Sequence, residues 1–311
     1  MSLLSVENLK VHFPVKGGIF GRTIDHIKAV DGVNLEIEKG KTYGLVGESG
    51  SGKTTTGRAI IGLNHMTDGK VFFEGEEISK SIRKAKSPIR KDIQMIFQDP
   101  YSSLNPRKRV MDIIAEPIRN FENMTKAETK RRVQELLEIV GLNPESILKY
   151  PHQFSGGQRQ RIGVARSIAL NPKLIIADEP VSALDVSVQA QVLNFMQKIQ
   201  KELDLTYIFV SHDLGVIKHM CDRIGIMYKG RFVEEGTKED VFNNPQHIYT
   251  KRLVAAIPDL DPSKREEQVK LRQEVKLEYE QASRDYFDEE GLAYDLQSIS
   301  DTHLVALPQK G

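Results

Sequence analysis

The run Gly47-Glu48-Ser49-Gly50-Ser51-Gly52-Lys53-Thr54 fits the spacing G-x-x-x-x-G-K-[ST]. Its chemistry is that of a polyphosphate cradle. Glycines let a backbone wrap an anion with its N–H groups. A helix that starts at Lys53 aims the positive end of its dipole at the same anion. Lys53 adds a point charge for the β- and γ-phosphates, and the Thr54 hydroxyl is a ligand for Mg2+. Average residue frequencies give such a run by accident in roughly 1% of chains this long.

Two further clusters carry chemistry. Leu174-Ile175-Ile176-Ala177-Asp178-Glu179 is an apolar strand that ends in two acids. A carboxylate at a strand's carboxyl end reaches the crevice where ligands sit in open α/β sheets. Asp178 is placed to hold Mg2+ through water, which frees Glu179 to polarise an attacking water. Ser155-Gly156-Gly157-Gln158 opens a helix and makes a second anion site. One nucleotide does not need two phosphate grips in one chain. The pair therefore predicts chains that meet head to tail, each completing the other's site. The plainer alternative is a helix start with a serine cap.

These residues need a scaffold of short buried strands followed by helices. Strands are predicted over 4–11, 29–37 and 42–46, and a helix over 53–63. The Gly-rich basic stretch 16–28 reads as an exposed hairpin or loop. Residues 68–78 read as a hairpin, 79–91 as basic and solvent-facing, and 93–97 as a strand. Thr125 and Glu128 form a capping box for a helix whose apolar face is Val133, Leu136, Leu137 and Val140, with Gly141 as its stop. From residue 155 the alternation resumes, with helices over 158–170 and 187–203, strands over 174–177 and 206–210, and a hairpin around Lys229-Gly230. The whole is an α/β fold with a mainly parallel sheet covered on both faces. Thr237 and Asp240 cap another helix, residues 249–257 read as helix, and 264–283 as a solvated helix or partial disorder.

Composition narrows the function classes. The 311 residues carry 44 Lys+Arg and 43 Asp+Glu, a net charge of +1. That balance excludes a chain that coats nucleic acid by bulk charge. Residues 261–311 hold 12 acidic and 7 basic residues, so the remainder is net positive. No stretch reaches the roughly 18 apolar residues that span a bilayer, and the N-terminus lacks the pattern of a secretory signal. The single Cys221 excludes an intramolecular disulfide and any all-cysteine metal site within one chain.

In order along the chain, residues 47–54, Gln98, residues 155–158, Asp178-Glu179, Ser182-Ala183-Leu184-Asp185 and His212 resemble the motif set of ATP-binding-cassette ATPases. The resemblance implies a P-loop NTPase core with an antiparallel β subdomain, a helical insert and a C-terminal helical extension. It implies an ATP-binding core over 1–98 and 159–235, a helical signature subdomain over 99–158, and an extension over 236–311. By the same resemblance Thr55 joins the phosphate site, and Gln98 senses Mg2+ and the γ-phosphate. Ser155 and Gly157 grip the partner's γ-phosphate, Asp185 lies at the dimer contact, and His212 stabilises the transition state. Phe13 stands where the family places an aromatic that stacks on adenine, with His12 or an aromatic elsewhere as alternatives. Phe154 replaces the usual leucine before Ser155.

Residues 98–107 and Asn244-Pro245-Gln246-His247-Ile248-Tyr249-Thr250 resemble the ATPase subunits of oligopeptide, dipeptide and nickel importers, with Ile248 in place of proline. The 16–28 insertion and Tyr150-Pro151-His152-Gln153-Phe154 are similar to the F-type subunit of the oligopeptide group. This resemblance implies ATP and Mg2+ as ligands and a paralogous ATPase subunit as partner. It also implies two permease subunits docked near 101–118, an extracellular peptide-binding protein, and a place on the cytoplasmic face of a bacterial membrane. No direct nucleic-acid contact is expected, and one cysteine leaves no iron–sulfur cluster. Alternatives are an importer of dipeptides or nickel, a soluble cassette ATPase acting on DNA or ribosomes, and a non-catalytic nucleotide-binding subunit.

Overall fold

The computed structural model describes residues 2–17, 22–99, 103–258, 261, 263 and 265–308. The tip of the 16–28 insertion and the Pro100-Tyr101-Ser102 part of the importer-like segment lie outside the described residues. Strands β1 (Ser2–Gly17) and β2 (Arg22–Glu38) pair antiparallel over most of their length. Their inner halves bury Leu4, Val6, Leu9 and Val11 against Val30, Val33, Leu35 and Ile37. Their outer halves, the predicted hairpin, leave Ile24 and Ile27 exposed. Strand β3 (Thr42–Val46) follows, buried at every residue.

Helix α1 (Lys53–Ile60) stops short of the predicted residue 63. Gly62 takes φ +72° just past the C-cap, a left-handed stop that glycine adopts without strain. Strands β4 (Asp68–Phe73) and β5 (Glu76–Glu77) join the first sheet in the order β2-β1-β4-β5, turning through Glu74-Gly75, both at positive φ. The segment 79–91 exposes Lys80, Arg83, Lys84 and Lys86 as expected, but it is anchored at a few buried positions. Ile82 and Ser79 are buried, and the Val71 N–H donates to Ser79 Oγ at 2.9 Å. A single turn, α2 (Ile89–Asp92), leads into β6 (Ile93–Ile96).

The helical insert holds α3 (Val110–Phe121) and α4 (Lys126–Ile139). The sequence assigned no element to α3, yet Val110, Ile113, Ile114 and Ile118 bury one face of it. The α4 capping box forms as expected: Glu128 N–H donates to Thr125 Oγ1 at 3.2 Å, and Thr125 N–H donates to Glu128 Oε2 at 2.8 Å. Gly141, at φ +69°, ends it.

The remaining core runs α5 (Gly156–Ser167), β7 (Leu174–Asp178), α6 (Val186–Leu203), β8 (Thr206–Ser211), α7 (Leu214–Met220), β9 (Arg223–Tyr228) and β10 (Arg231–Thr237). The extension adds α8 (Lys238–Asn243), α9 (Ile248–Ala255) and α10 (Arg265–Ala282). No residue of α10 is buried, so it is the solvated helix its composition predicts. Two strands that the sequence did not announce, β11 (Leu296–Ser298) and β12 (Leu304–Ala306), then join the large sheet.

That sheet has the order β11-β12-β10-β9-β3-β8-β7-β6, with β9, β3, β8, β7 and β6 mutually parallel. Alternation divides its buried residues between two cores. Leu174, Ile176, Ile208 and Val210 face the antiparallel sheet and α1. Ile175, Ala177, Tyr207 and Phe209 face the helical layer. Burial on both faces makes these strands read as unbroken apolar runs and fixes where their carboxyl ends emerge.

Candidate functional site

Four neighbouring strands deliver the chemistry at one edge. The phosphate loop follows β3, His212 follows β8, Asp178 and Glu179 end β7, and Gln98 follows β6. Gly47 and Gly52 sit where nothing larger fits, while Gly50 faces open space at φ +80°. A Cβ on Gly47 would stand 2.2 Å from the Met227 carbonyl oxygen, and one on Gly52, at φ +105°, 2.3 Å from that of Ala29. The β9–β10 turn braces the loop from outside, with Gly230 N–H donating to the Ser51 carbonyl at 2.9 Å. Lys53 is buried, and its ammonium donates to the Gly47 and Glu48 carbonyls at 2.8 and 2.7 Å. Burial holds its pKa below the ordinary lysine value.

The Thr54 hydroxyl donates to Asp178 Oδ1 at 2.7 Å. Asp178 is fully buried, and burial raises its carboxyl pKa. Its Oδ2 accepts no hydrogen bond, and the nearest cation, Arg58, stands 3.6 Å away. A buried carboxylate oxygen left over beside a hydroxyl is an oxygen-only donor set. It fits a hard divalent cation that keeps most of its ligands as water and phosphate. No cluster of three His, Cys, Asp or Glu side chains forms a closed metal cage among the described residues.

Glu179 sits at φ +45°, a left-handed conformation that few non-glycine residues adopt. Its N–H donates to the Val210 carbonyl at 2.9 Å. Its carboxylate is held from both sides: Gln98 Nε2 donates to Oε2 at 2.8 Å, and His212 Nδ1 lies 2.9 Å from Oε1. Glu179 is 13% exposed and His212 56%, so the pair looks outward from the sheet edge. The structure thus joins Gln98, Glu179 and His212, which the sequence names separately.

The residues predicted as a second anion site stand apart. Ser155 caps α5, donating its N–H to Gln158 Oε1 at 3.0 Å and accepting from Gln158 N–H at 3.3 Å. The helix begins at Gly156, two residues before its predicted start. A Cβ on Gly157 would meet Val188 of α6 at 2.4 Å, so this glycine lets α5 and α6 approach. Asp185 occupies the N-cap position of α6 without accepting a cap hydrogen bond and is exposed.

Thr55 lies half-buried in the first turn of α1. Phe13 pairs with Ile27, two residues along β2 from Ala29, and is 42% exposed. His12 is engaged elsewhere, 3.1 Å from Asp31, which also pairs with Arg231. Glu48 differs from the other loop residues. Its N–H donates to the Tyr249 hydroxyl at 3.2 Å, and its carboxylate pairs with Arg252. Tyr249, Arg252 and Arg58 are the neighbours that motif reading missed. Only Tyr249 had a signal, as part of the importer-like segment.

Comparison with known proteins agrees with this geometry. Residues 30–182 match the ABC transporter family, and residues 233–285 match the oligopeptide/dipeptide transporter C-terminal region. The chain is 53% identical over 309 residues to the oligopeptide transport ATP-binding protein OppF of Lactococcus lactis, covering 99% of this chain and 97% of that protein. It is 48% identical over 273 residues to the dipeptide transport ATP-binding protein DppF of Escherichia coli, covering 88% and 81%. Among solved structures, the dimeric post-hydrolysis ATP-binding cassette MJ0796 bound to ADP and Pi aligns with TM-score 0.65 and 28% identity over 76% of this chain and 98% of its own. CbiO1 of Clostridium perfringens aligns with TM-score 0.66 and 25% identity over 89% and 98%. A complete cassette edge followed by this C-terminal region places the chain in the ABC transporter family, in its oligopeptide/dipeptide branch, as an ATPase that couples hydrolysis to transport.

Proposed function

We propose that this chain hydrolyses ATP to power import of oligopeptides through a membrane permease. The observation that carries the hydrolytic part is Glu179, held between Gln98 and His212 beside the Thr54–Asp178 pair. The phosphate loop from Gly47 to Gly52, with Lys53, Thr54 and Thr55, binds the polyphosphate, and Phe13 offers its exposed ring to the adenine. Thr54 and Asp178 would hold Mg2+, with Gln98 alongside. When bound, Mg2+ neutralises charge on the β- and γ-oxygens. Glu179 orients a water and draws its proton, and His212 fixes the carboxylate and faces the developing charge. Ser155, Gly156, Gly157 and Gln158 serve the γ-phosphate bound to a second, paralogous chain, and Asp185 lies where the two meet.

The cassette core is assigned to 1–98 and 159–235, the signature subdomain to 99–158, and the extension to 236–311. Among the described residues no helix is long and apolar enough to cross a membrane, and we assign the chain to the cytoplasmic face, held by two permease subunits. The predicted docking segment, 101–118, ends in α3. A cleft of about 270 Å3 opens there between α3 and β6, lined by Leu63, Phe97, Pro117 and Phe121. Phe97 precedes Gln98, so a permease segment seated in that cleft touches the residue next to the catalytic carboxylate's partner. That contiguity gives the coupling free energy a short route. An extracellular peptide-binding protein supplies the solute.

The test is reconstitution in liposomes with the co-purifying permease, using labelled peptides, dipeptides and Ni2+. ATP-dependent uptake of oligopeptides that disappears with Glu179→Gln supports the reading. Uptake confined to dipeptides or Ni2+ overturns the substrate, and a chain that purifies without any membrane partner overturns the importer.

A further inference from the structure

We propose that Tyr249 and Arg252, both on α9 of the C-terminal extension, are positioning residues for the phosphate loop and set its affinity for the polyphosphate of the nucleotide. The proposal rests on the ATP reading of the loop. Its starting point is a single peptide group, the one between Gly47 and Glu48. The oxygen of this peptide accepts from the Lys53 ammonium at 2.8 Å, and its N–H donates to the Tyr249 hydroxyl at 3.2 Å. Tyr249 therefore holds the back of the peptide whose front holds Lys53. A shift of the hydroxyl moves the carbonyl and, with it, the charge meant for the phosphates.

Tyr249 is suited to fix a position. It is completely buried, with its ring packed on Tyr228 at 4.8 Å between centroids. Burial pushes its hydroxyl pKa up to about 12, so it stays protonated throughout the physiological range.

Arg252 solves an electrostatic problem. Glu48 places a carboxylate beside a site for a polyanion, where an unpaired negative charge repels the ligand. The Arg252 guanidinium pairs with that carboxylate. It also lies over the Tyr279 ring at 4.5 Å and near the Tyr249 ring at 5.5 Å. Tyr279 belongs to α10, and Lys251 binds Glu278 of the same helix at 2.9 Å. The loop is thus tied to α9 directly and, through Arg252 and Lys251, to α10. Glu48 is 52% and Arg252 37% exposed, so solvent screens the pair and its effect is graded. Glu48 accordingly serves the site through its backbone, while its side chain faces the extension.

The experiment uses the full chain and a fluorescent ATP analogue, with kcat and KM measured on the same preparations. Tyr249→Phe keeps the packed ring and removes the hydroxyl. It is expected to weaken nucleotide binding about tenfold while changing kcat less than about twofold. Arg252→Gln is expected to weaken binding about threefold, more at low salt than at high salt. Adding Glu48→Gln to Arg252→Gln is expected to recover most of that loss, which a purely structural role for Arg252 would not do. Lys53→Ala serves as the reference for the loop itself. If Lys53→Ala abolishes binding while Tyr249→Phe and Arg252→Gln bind like the parent, positioning by α9 is overturned and the ATP reading stands. If binding survives Lys53→Ala, the ATP reading falls and this proposal falls with it. A loss in Arg252→Gln that Glu48→Gln does not recover overturns the charge-pairing part.

Discussion

At the carboxyl edge of the large sheet, the side chains proposed for catalysis hold one another: Thr54 bonds Asp178, and Gln98 and His212 flank Glu179. At the start of α5, Ser155 and Gln158 bond each other. Both regions are anion sites by composition. The first grows from four adjacent strands whose register is fixed by burial on both faces, so its side chains arrive already positioned. The second is one helix end, and a helix end leaves several N–H groups without intrahelical partners. The difference teaches that a cluster built from several strands is pre-organised within one chain, whereas a lone helix end offers N–H groups that, on the proposed function, wait on a partner's ligand.

Glu179→Gln tests the self-sufficient half. Hydrolysis should fall by about a thousandfold with ATP binding retained; near-parental turnover would show that the Gln98–Glu179–His212 string is not the catalytic unit. Ser155→Arg tests the dependent half. ATP binding by the isolated chain should match the parent, while hydrolysis by the assembled pair falls about a hundredfold. Weak binding by the isolated variant would erase the distinction between the two regions.

Acid should act on the extension that braces the first region. His247 is buried, and burial lowers its pKa to about 4. The unfolded chain takes up the proton near pH 6.5 and the folded chain does not, so this contribution is complete above pH 6.5 and is lost as pH falls towards 4. Between pH 6.5 and 5 the loss is about 2 kcal/mol, readable by urea unfolding at the two pH values. A His247→Gln variant should show a flatter profile, and an identical one would remove His247 from the account.

The smallest effect separates two motifs of the same form. Thr125–Glu128 and Ser155–Gln158 are both reciprocal capping boxes. Thr125→Ala should cost about 1 kcal/mol of stability and leave hydrolysis within about twofold. Ser155→Ala should cost similarly in stability and also slow the assembled pair. Equal kinetics for the two variants would make Ser155 an ordinary cap.

The parts of the site made from contiguous residues were legible, because local chemistry specifies them. The phosphate loop needs glycine at fixed spacing, and β3 is found over the very residues predicted. The capping boxes at Thr125, Ser155 and Thr237 each carry their own signal. Illegible features depend on distant partners. Helix α3 was hidden by Pro117, yet its buried face packs on α4 and α5, which outweighs the proline's cost. Ile82 anchors a segment that composition marks as solvent-facing. β11 and β12 are three residues each, too short for periodicity, and exist because β10 offers an edge. Glu48 meets Tyr249 and Arg252 across some two hundred residues, a juxtaposition only the fold can make.

The position of β3 has a consequence for how the molecule is made. The strand that carries the phosphate loop lies between β8 and β9, with Thr42 beside Tyr207 and Tyr43 beside Arg223. Its five residues leave the ribosome early, and both of its neighbours leave late. Until residue 228 has been synthesised, β3 keeps at least one bare hydrogen-bonding edge, and until residue 230 its loop has no Lys229-Gly230 turn to rest on. Such long-range parallel pairing is slow and exposes strand edges meanwhile. The nucleotide site is therefore one of the last things the nascent chain acquires, although its defining motif is one of the first things translated.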